Sequence, residues 1–187
     1  IRGAVERFPP SLYLRETLLT AADDAIAQFA ASARETVGRD VLGQLHGILD
    51  RLHEEIAYDP GPTHVATPAA EAFALKRGVC QDFAHIYIAA ARSLGIPARY
   101  VGGYFVRGDG VTVQEAGHAW AEAYVPELGW IAFDAANGIC ATDAHVRVAI
   151  GLDYLGASPL RGTRYGGGRE TLTVRLQIQQ AMQQSQD

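Results

Sequence analysis

Residues 77–101, RGVCQDFAHIYIAAARSLGIPARYV, contain the change of period that decides the fold. Phe83, Ile86, Tyr87, Ala90, Ala91 and Leu94 recur at helical spacing and predict a helix from about Cys80 with a broad buried stripe. Gly95-Ile96-Pro97 is a firm stop, and from Ala98 the apolar period falls from 3.6 to 2. The chain before this point reads as helix, and most of the chain after it reads as strand.

Upstream, Leu14, Leu18, Ala22, Ile26 and Phe29 predict a helix over Ser11–Arg34, capped by Ser11 after Pro9-Pro10 and closed by Thr36-Val37-Gly38. A second helix is expected from about Arg39 to Ala57, burying Val41, Leu45, Ile48, Leu52 and Ile56. After the turn cluster Asp59-Pro60-Gly61-Pro62, Thr67-Pro68 opens a short helix over Ala69–Leu75 that Gly78 ends. Downstream, Ala98–Val106, His118–Val125, Trp130–Ala135, Val146–Leu152 and Thr171–Ile178 read as strands. Arg107–Gly110 and Gly166–Gly168 read as loops. Helices first and strands afterwards predict an α+β domain with an antiparallel sheet. The expected layout is a single domain over 1–187, in which residues 1–96 are helical, residues 97–180 form the sheet and residues 181–187 are a frayed tail.

With 187 residues, 48% of them apolar and 20% charged, the chain can bury a full core without staples. A formal charge of −5 argues against nucleic acid as a partner. No apolar run approaches the ~20 residues of a membrane span and no signal-peptide pattern heads the chain, so a cytoplasmic location is the expectation. The chain starts at Ile1, which fits an internal residue of a longer protein. Cys80 and Cys140 are too few for a disulfide framework, and a single bridge between them would preclude thiol chemistry.

That chemistry is suggested by Cys80, His118 and Asp134, in this order on one helix and two strands. The first helical turn offers Cys80 unpaired N–H groups and the positive end of the helix dipole, which stabilise a thiolate and can hold an oxyanion. Taken alone, a free cysteine is usually a small hydrophobe. Taken alone, His118 reads as a solvated strand residue and Asp134 as a turn cap beside Asn137-Gly138. Their mutual spacing points the other way, because Pro126 lies midway between them. A five-residue hairpin loop over Tyr124–Leu128 sets 118 opposite 134, with Cβ atoms about 4.5–5.5 Å apart. A three-residue loop over Glu127–Gly129 instead offsets them by four residues, about 13 Å, and then requires a bulge.

Four motif blocks give the chain a strong resemblance to the transglutaminase-like core of bacterial papain-type thiol enzymes. They are Arg77-Gly78-Val79-Cys80-Gln81-Asp82-Phe83-Ala84-His85, Leu94-Gly95-Ile96-Pro97-Ala98-Arg99-Tyr100-Val101, Gly117-His118-Ala119-Trp120-Ala121-Glu122 and Gly129-Trp130-Ile131-Ala132-Phe133-Asp134. Leu152-Asp153-Tyr154 and Pro159-Leu160-Arg161-Gly162 resemble the tail of bacterial members. The resemblance implies Cys80 as nucleophile, His118 as general base then acid, and Asp134 as the group that orients His118. It implies a papain-like fold, no cofactor and a protein or peptide substrate, attacked at peptide or glutamine-type amide bonds through a Cys80 thioester. Hydrolysis and transfer to an amine both remain open. The chain departs from the family where Ala135-Ala136-Asn137 replaces the usual Pro-Thr-Asn, and it lacks the β-rich segment that often precedes the helices.

Around the triad, Trp120 shares the strand face of His118, where it either shields the site and packs on substrate or fills the core. Tyr58 is a candidate oxyanion donor, and Gln81 and Asp82 are candidate lining residues. Asp82 also opposes a thiolate two residues away while favouring the helix start. His85 reads as structural, and His64 and His145 as loop residues without a role. Neither His46 with His53 nor Cys140 with His145 completes a metal set, and no nucleotide, flavin or calcium site is legible. A binding or scaffold module that keeps the fold without turnover is the competing reading; an acyltransferase fed by a small thioester is a weaker third.

Overall fold

The structure is a computed structural model that describes residues 8–106, 113–114, 117–158 and 176–177. The expected loops at 107–110 and 166–168, the tail and most of the last strand lie outside these residues. Helix α1 spans Asp24–Val37, α2 Val41–Glu55, α3 Ala69–Leu75 and α4 Cys80–Ser93. Two-residue strands β1 (Ala57–Tyr58) and β2 (Arg77–Gly78) pair in parallel. The remaining strands are β3 (Ala98–Phe105), β4 (Val113–Gln114), β5 (His118–Val125), β6 (Gly129–Asp134), β7 (Ile139–Cys140), β8 (His145–Gly151) and β9 (Leu176–Gln177), with a one-turn α5 (Tyr154–Ala157) after β8. A five-stranded antiparallel sheet runs β7-β6-β5-β3-β8, and β4 pairs with β9.

The first expected helix is shorter than its apolar period suggests. Pro10–Leu14 forms a 3-10 turn, and the hydroxyls of Thr17 and Thr20 bond each other and nearby N–H groups. Asp23 then starts α1 by accepting from the Ile26 N–H at 2.9 Å. Local side-chain hydrogen bonds won over the period there. The second helix starts similarly, Asp40 accepting from the Leu42 N–H.

Helix α4 is the axis of the molecule. It packs between α1, α2 and α3 on one side and the sheet on the other, so residues 82–92 are all buried. That placement explains its nearly continuous apolar sequence. Arg92 is buried near its end: the guanidinium donates to the carbonyls of Tyr13, Ala98 and Leu152 and to Thr20 Oγ1, tying the helix end to the N-terminal segment, the start of β3 and the turn after β8. On the inner face of the sheet Ala119, Ala121, Ala123 and Val125 pack into the core. The alternate residues of β5 point to the opposite face, where Glu122 is held by Arg99 at 2.6 Å and Arg99 covers the Trp130 ring.

Neither anticipated hairpin register occurs. The loop is Pro126–Leu128, with Val125 opposite Gly129 and Ala121 opposite Phe133. Glu127 at φ 68° and Gly129 at φ 85° make this tight turn. The register sets His118 and Asp134 on one face as diagonal neighbours two residues out of line, a separation long side chains can span without a bulge.

Candidate active site

Cys80 is the first residue of α4 and only partly buried. Val79, before it, has no side-chain acceptor, so Asp82 caps the helix by reaching back to the Val79 N–H at 2.8 Å. Asp82 also accepts from Thr63 Oγ1 at 2.6 Å, while its Oδ1 has no partner. Burial pushes its carboxyl above the usual range despite those two bonds. Asp82 is therefore committed to the helix start and is not among the residues lining the cavity at Cys80. A Cβ on Gly78 would sit 2.6 Å from Asp82 Oδ2, so this close turn needs glycine.

His118 begins β5, where its Nε2 donates to Asp134 Oδ2 at 2.6 Å while its ring lines the same cavity as Cys80. Burial alone would lower its pKa, but the bonds and charges of Asp134 and Cys80 raise it to about 9. Asp134 is fully buried at the end of β6. Burial opposes its charge, yet hydrogen bonds from His118, His145 and Asn137 hold the carboxyl below its ordinary value. Asn137 donates through Nδ2 to Oδ2 at 2.7 Å and through its backbone N–H to Oδ1 at 3.3 Å. The turn that lacks the family's proline is thus tied by the asparagine that remains.

His145, to which the sequence assigned no role, opens β8 with its side chain 2% exposed, and its Nε2 lies 3.0 Å from Asp134 Oδ2. Residues 141–144 bring it there by carrying the chain from β7 at one edge of the sheet to β8 at the other. No local spacing signals this. Among the described residues His118, Asp134 and His145 also form a cluster whose ligand atoms lie within 4.8 Å of one another, close enough to be considered for a metal ion.

A cavity of about 320 Å³ adjoins the thiol, lined among others by Cys80, Gln81, Tyr100, Gly103, His118 and Tyr154. Gln81 anchors its amide on the Val65 carbonyl at 3.2 Å. Tyr154 is fixed from below, its N–H donating to the Nε2 of fully buried His85 at 3.0 Å. Trp120 is buried beside His118 and meets the His145 ring edge-on at 5.2 Å, lining a second cavity on the outer sheet face. Tyr58 is 62% exposed on β1 and is brought near the thiol by its pairing with Gly78; partial burial and then the Cys80 charge raise its phenol pKa. His46 and His53 pack separately, against Phe133 and the Ala135 carbonyl. His64 caps its own turn. Both cysteines are free.

A partly buried cysteine at a helix start, facing an antiparallel sheet that carries histidine and aspartate, is the framework of a cysteine-type enzyme. The family described as the transglutaminase-like superfamily matches residues 27–135, and the chain belongs to it. An uncharacterized protein of Mycobacterium leprae is 39% identical over 128 residues, covering 66% of this chain and 45% of the relative. A protein-glutamine gamma-glutamyltransferase of Pseudomonas aeruginosa is 30% identical over 135 residues, 62% of this chain and 19% of the enzyme. The chain thus spans less than half the length of these curated relatives. Among solved structures, a proposed cysteine protease from Cytophaga hutchinsonii aligns at TM-score 0.62 and 24% identity, over 89% of this chain and 62% of that one. The periplasmic domain of TgpA from Pseudomonas aeruginosa aligns at TM-score 0.54 and 23% identity, over 70% of this chain and 49% of that one. These likenesses show the mixed papain-like fold with its antiparallel sheet. No helix among the described residues is long and apolar enough to cross a membrane.

Proposed function

We propose that the chain is a thiol-dependent acyl-transfer enzyme that opens peptide or glutamine-type amide bonds through a Cys80 thioester. The observation that carries this reading is His118 set in one cavity with Cys80 and hydrogen-bonded through Nε2 to a buried, charged Asp134. With Nε2 engaged by Asp134, Nδ1 is the nitrogen left for the thiol. His118, its pKa raised to about 9, already holds the thiol proton near neutral pH, and the Cys80 thiolate attacks the carbonyl carbon. The developing oxyanion meets the Cys80 backbone N–H at the helix start, with Tyr58 the candidate second donor. Collapse breaks the C–N bond, and His118 gives its proton to the departing amine. Water or another amine, deprotonated by His118, then releases the acyl group and regenerates the thiol.

The cavity beside the thiol suits an uncharged acyl side chain, since the six lining residues named above include no charged group except His118. Superfamily membership and the glutamyltransferase relative support a protein substrate. The test is the rate of Cys80 alkylation by iodoacetamide from pH 4 to 10, with His118→Ala as control. Thiolate reactivity well below ~pH 8.5 that shifts upward in the control supports the pair. A slow profile unmoved by the substitution sinks the proposal and leaves a scaffold module.

A further inference from the structure

The second imidazole on Asp134 has a fixed tautomer. The Thr142 N–H donates to His145 Nδ1 at 3.0 Å, and this backbone donor leaves Nδ1 no room for a proton. The neutral ring must then carry its proton on Nε2, the atom 3.0 Å from Asp134 Oδ2. The same tautomer disfavours a metal: to ligate one, Nε2 would have to lose its proton and Nδ1 would have to gain one against the Thr142 N–H. Packing fixes the ring as well. Phe105 and Trp120 meet it at centroid distances of 4.8 and 5.2 Å.

Resting on the reading of Cys80, His118 and Asp134 as one reacting unit, we propose that His145 is its positioning residue, an N–H donor that holds the Asp134 carboxylate aimed at His118. Three donors then converge on Oδ2: His118 at 2.6 Å, Asn137 at 2.7 Å and His145 at 3.0 Å. Their convergence, together with the charge of His118, keeps a fully buried carboxylate ionised. The other ionisable groups around the pair are accounted for. Cys80 faces it through His118, Glu122 is occupied by Arg99 and Arg147 across the sheet face, and His53 from α2 ends on the Ala135 carbonyl. His145 does not touch the reacting atoms, so its effect reaches the thiol only through Asp134 and His118.

The experiment compares Cys80 alkylation across pH in wild type, His145→Phe and His145→Gln, with thermal unfolding of each. Phenylalanine keeps the ring packing and removes the donor; glutamine keeps an amide N–H within reach of the carboxylate. The phenylalanine variant should alkylate up to about 10-fold more slowly on the acid side of its profile. Its acid limb should rise by about one pH unit, because Asp134 protonates earlier. Glutamine should restore most of both. A folded phenylalanine variant with the wild-type limb overturns the proposal, as does an equal loss in both variants. Should the phenylalanine variant not fold, ¹⁵N NMR of the wild-type imidazoles decides: His145 protonated on Nε2 upholds the role and on Nδ1 overturns it. A wild-type profile indifferent to His118→Ala would instead remove the reacting unit itself, a result distinct from any of these.

Discussion

Asp82 and Asp134 are both buried acids within reach of the same reaction, and the protein treats them in opposite ways. Asp82 receives two hydrogen bonds, both on one oxygen, and leaves the other oxygen bare. Asp134 receives four, from two imidazoles and from the side chain and backbone of Asn137. Desolvation works against charge at both sites; the donors and the His118 charge overcome it at Asp134, and the two donors at Asp82 do not. The result suits thiol chemistry: negative charge is discouraged two residues from Cys80, where it would oppose a thiolate, and secured behind His118, where it supports an imidazolium.

The largest effects should come from breaking the charged side. Cys80→Ala should abolish the covalent acyl-enzyme seen by mass spectrometry while leaving the unfolding temperature in place. Asp134→Asn keeps the shape and removes the charge, and should lower turnover by about 10³- to 10⁴-fold. Asp82→Asn, the matching change at the other acid, should stay within about threefold of wild type, since a hydrogen bond to a helix start is worth only about 1 kcal/mol and touches no reacting atom. Equal losses at the two acids would break the contrast. A further sign lies in the alkaline limb: neutral His118 cannot protonate a departing amine, so turnover should fall as pH passes about 9.

Much of this was legible in the chain. The helix from Cys80 could be read because its stripe is unbroken and Gly95-Ile96-Pro97 stops it. The strand starting at His118 could be read because small apolar residues alternate with larger ones. The reading failed where a few hydrogen bonds outweigh a period. Thr17, Thr20 and Asp23 cut the first helix short, and Glu127 adopts a positive φ that no pattern of apolar residues announces. The two-residue pairing that brings Tyr58 beside Gly78 is too short to show any period. His145 was out of reach for another reason. Its partner lies eleven positions earlier, and the two meet only because the chain crosses between opposite edges of the sheet. Residue types with local spacing singled out Cys80, His118 and Asp134, whereas the hydrogen bond from His145 to Asp134 depends on topology.

The cavity wall gives an intermediate effect. His85 is fully buried and accepts from the Tyr154 N–H, and burial lowers its pKa to about 4. The unfolded chain binds that proton from about pH 6.5 downward, whereas the folded one declines it until about pH 4. Stability should therefore fall by about 3 kcal/mol between pH 7 and pH 4, read from urea unfolding. His85→Gln keeps an acceptor for Tyr154 without the titration and should flatten that slope. An unchanged slope would show that other groups set the acid sensitivity.

The smallest effect is the sharpest test of the two acids, because its sign differs between them. Asp134 has a folded pKa below the 3.8 of the free group, so its contribution to stability is present above that value and lost as pH falls through the folded pKa. Asp82 has a folded pKa above 3.8, so its ionisation is a penalty that grows as pH rises through the folded value. Asp134→Asn should accordingly destabilise most at pH 7 and progressively less in acid. Asp82→Asn should cost least at pH 7, where it removes a poorly solvated charge, and more as pH falls and the carboxyl it replaces becomes neutral. Differences of about 1 kcal/mol are within reach of urea titrations at the two pH values. Slopes of the same sign would mean that the donors and the His118 charge do not set the ionisation of these two carboxyls, and the contrast between helix start and strand end would have to be sought in the backbone instead.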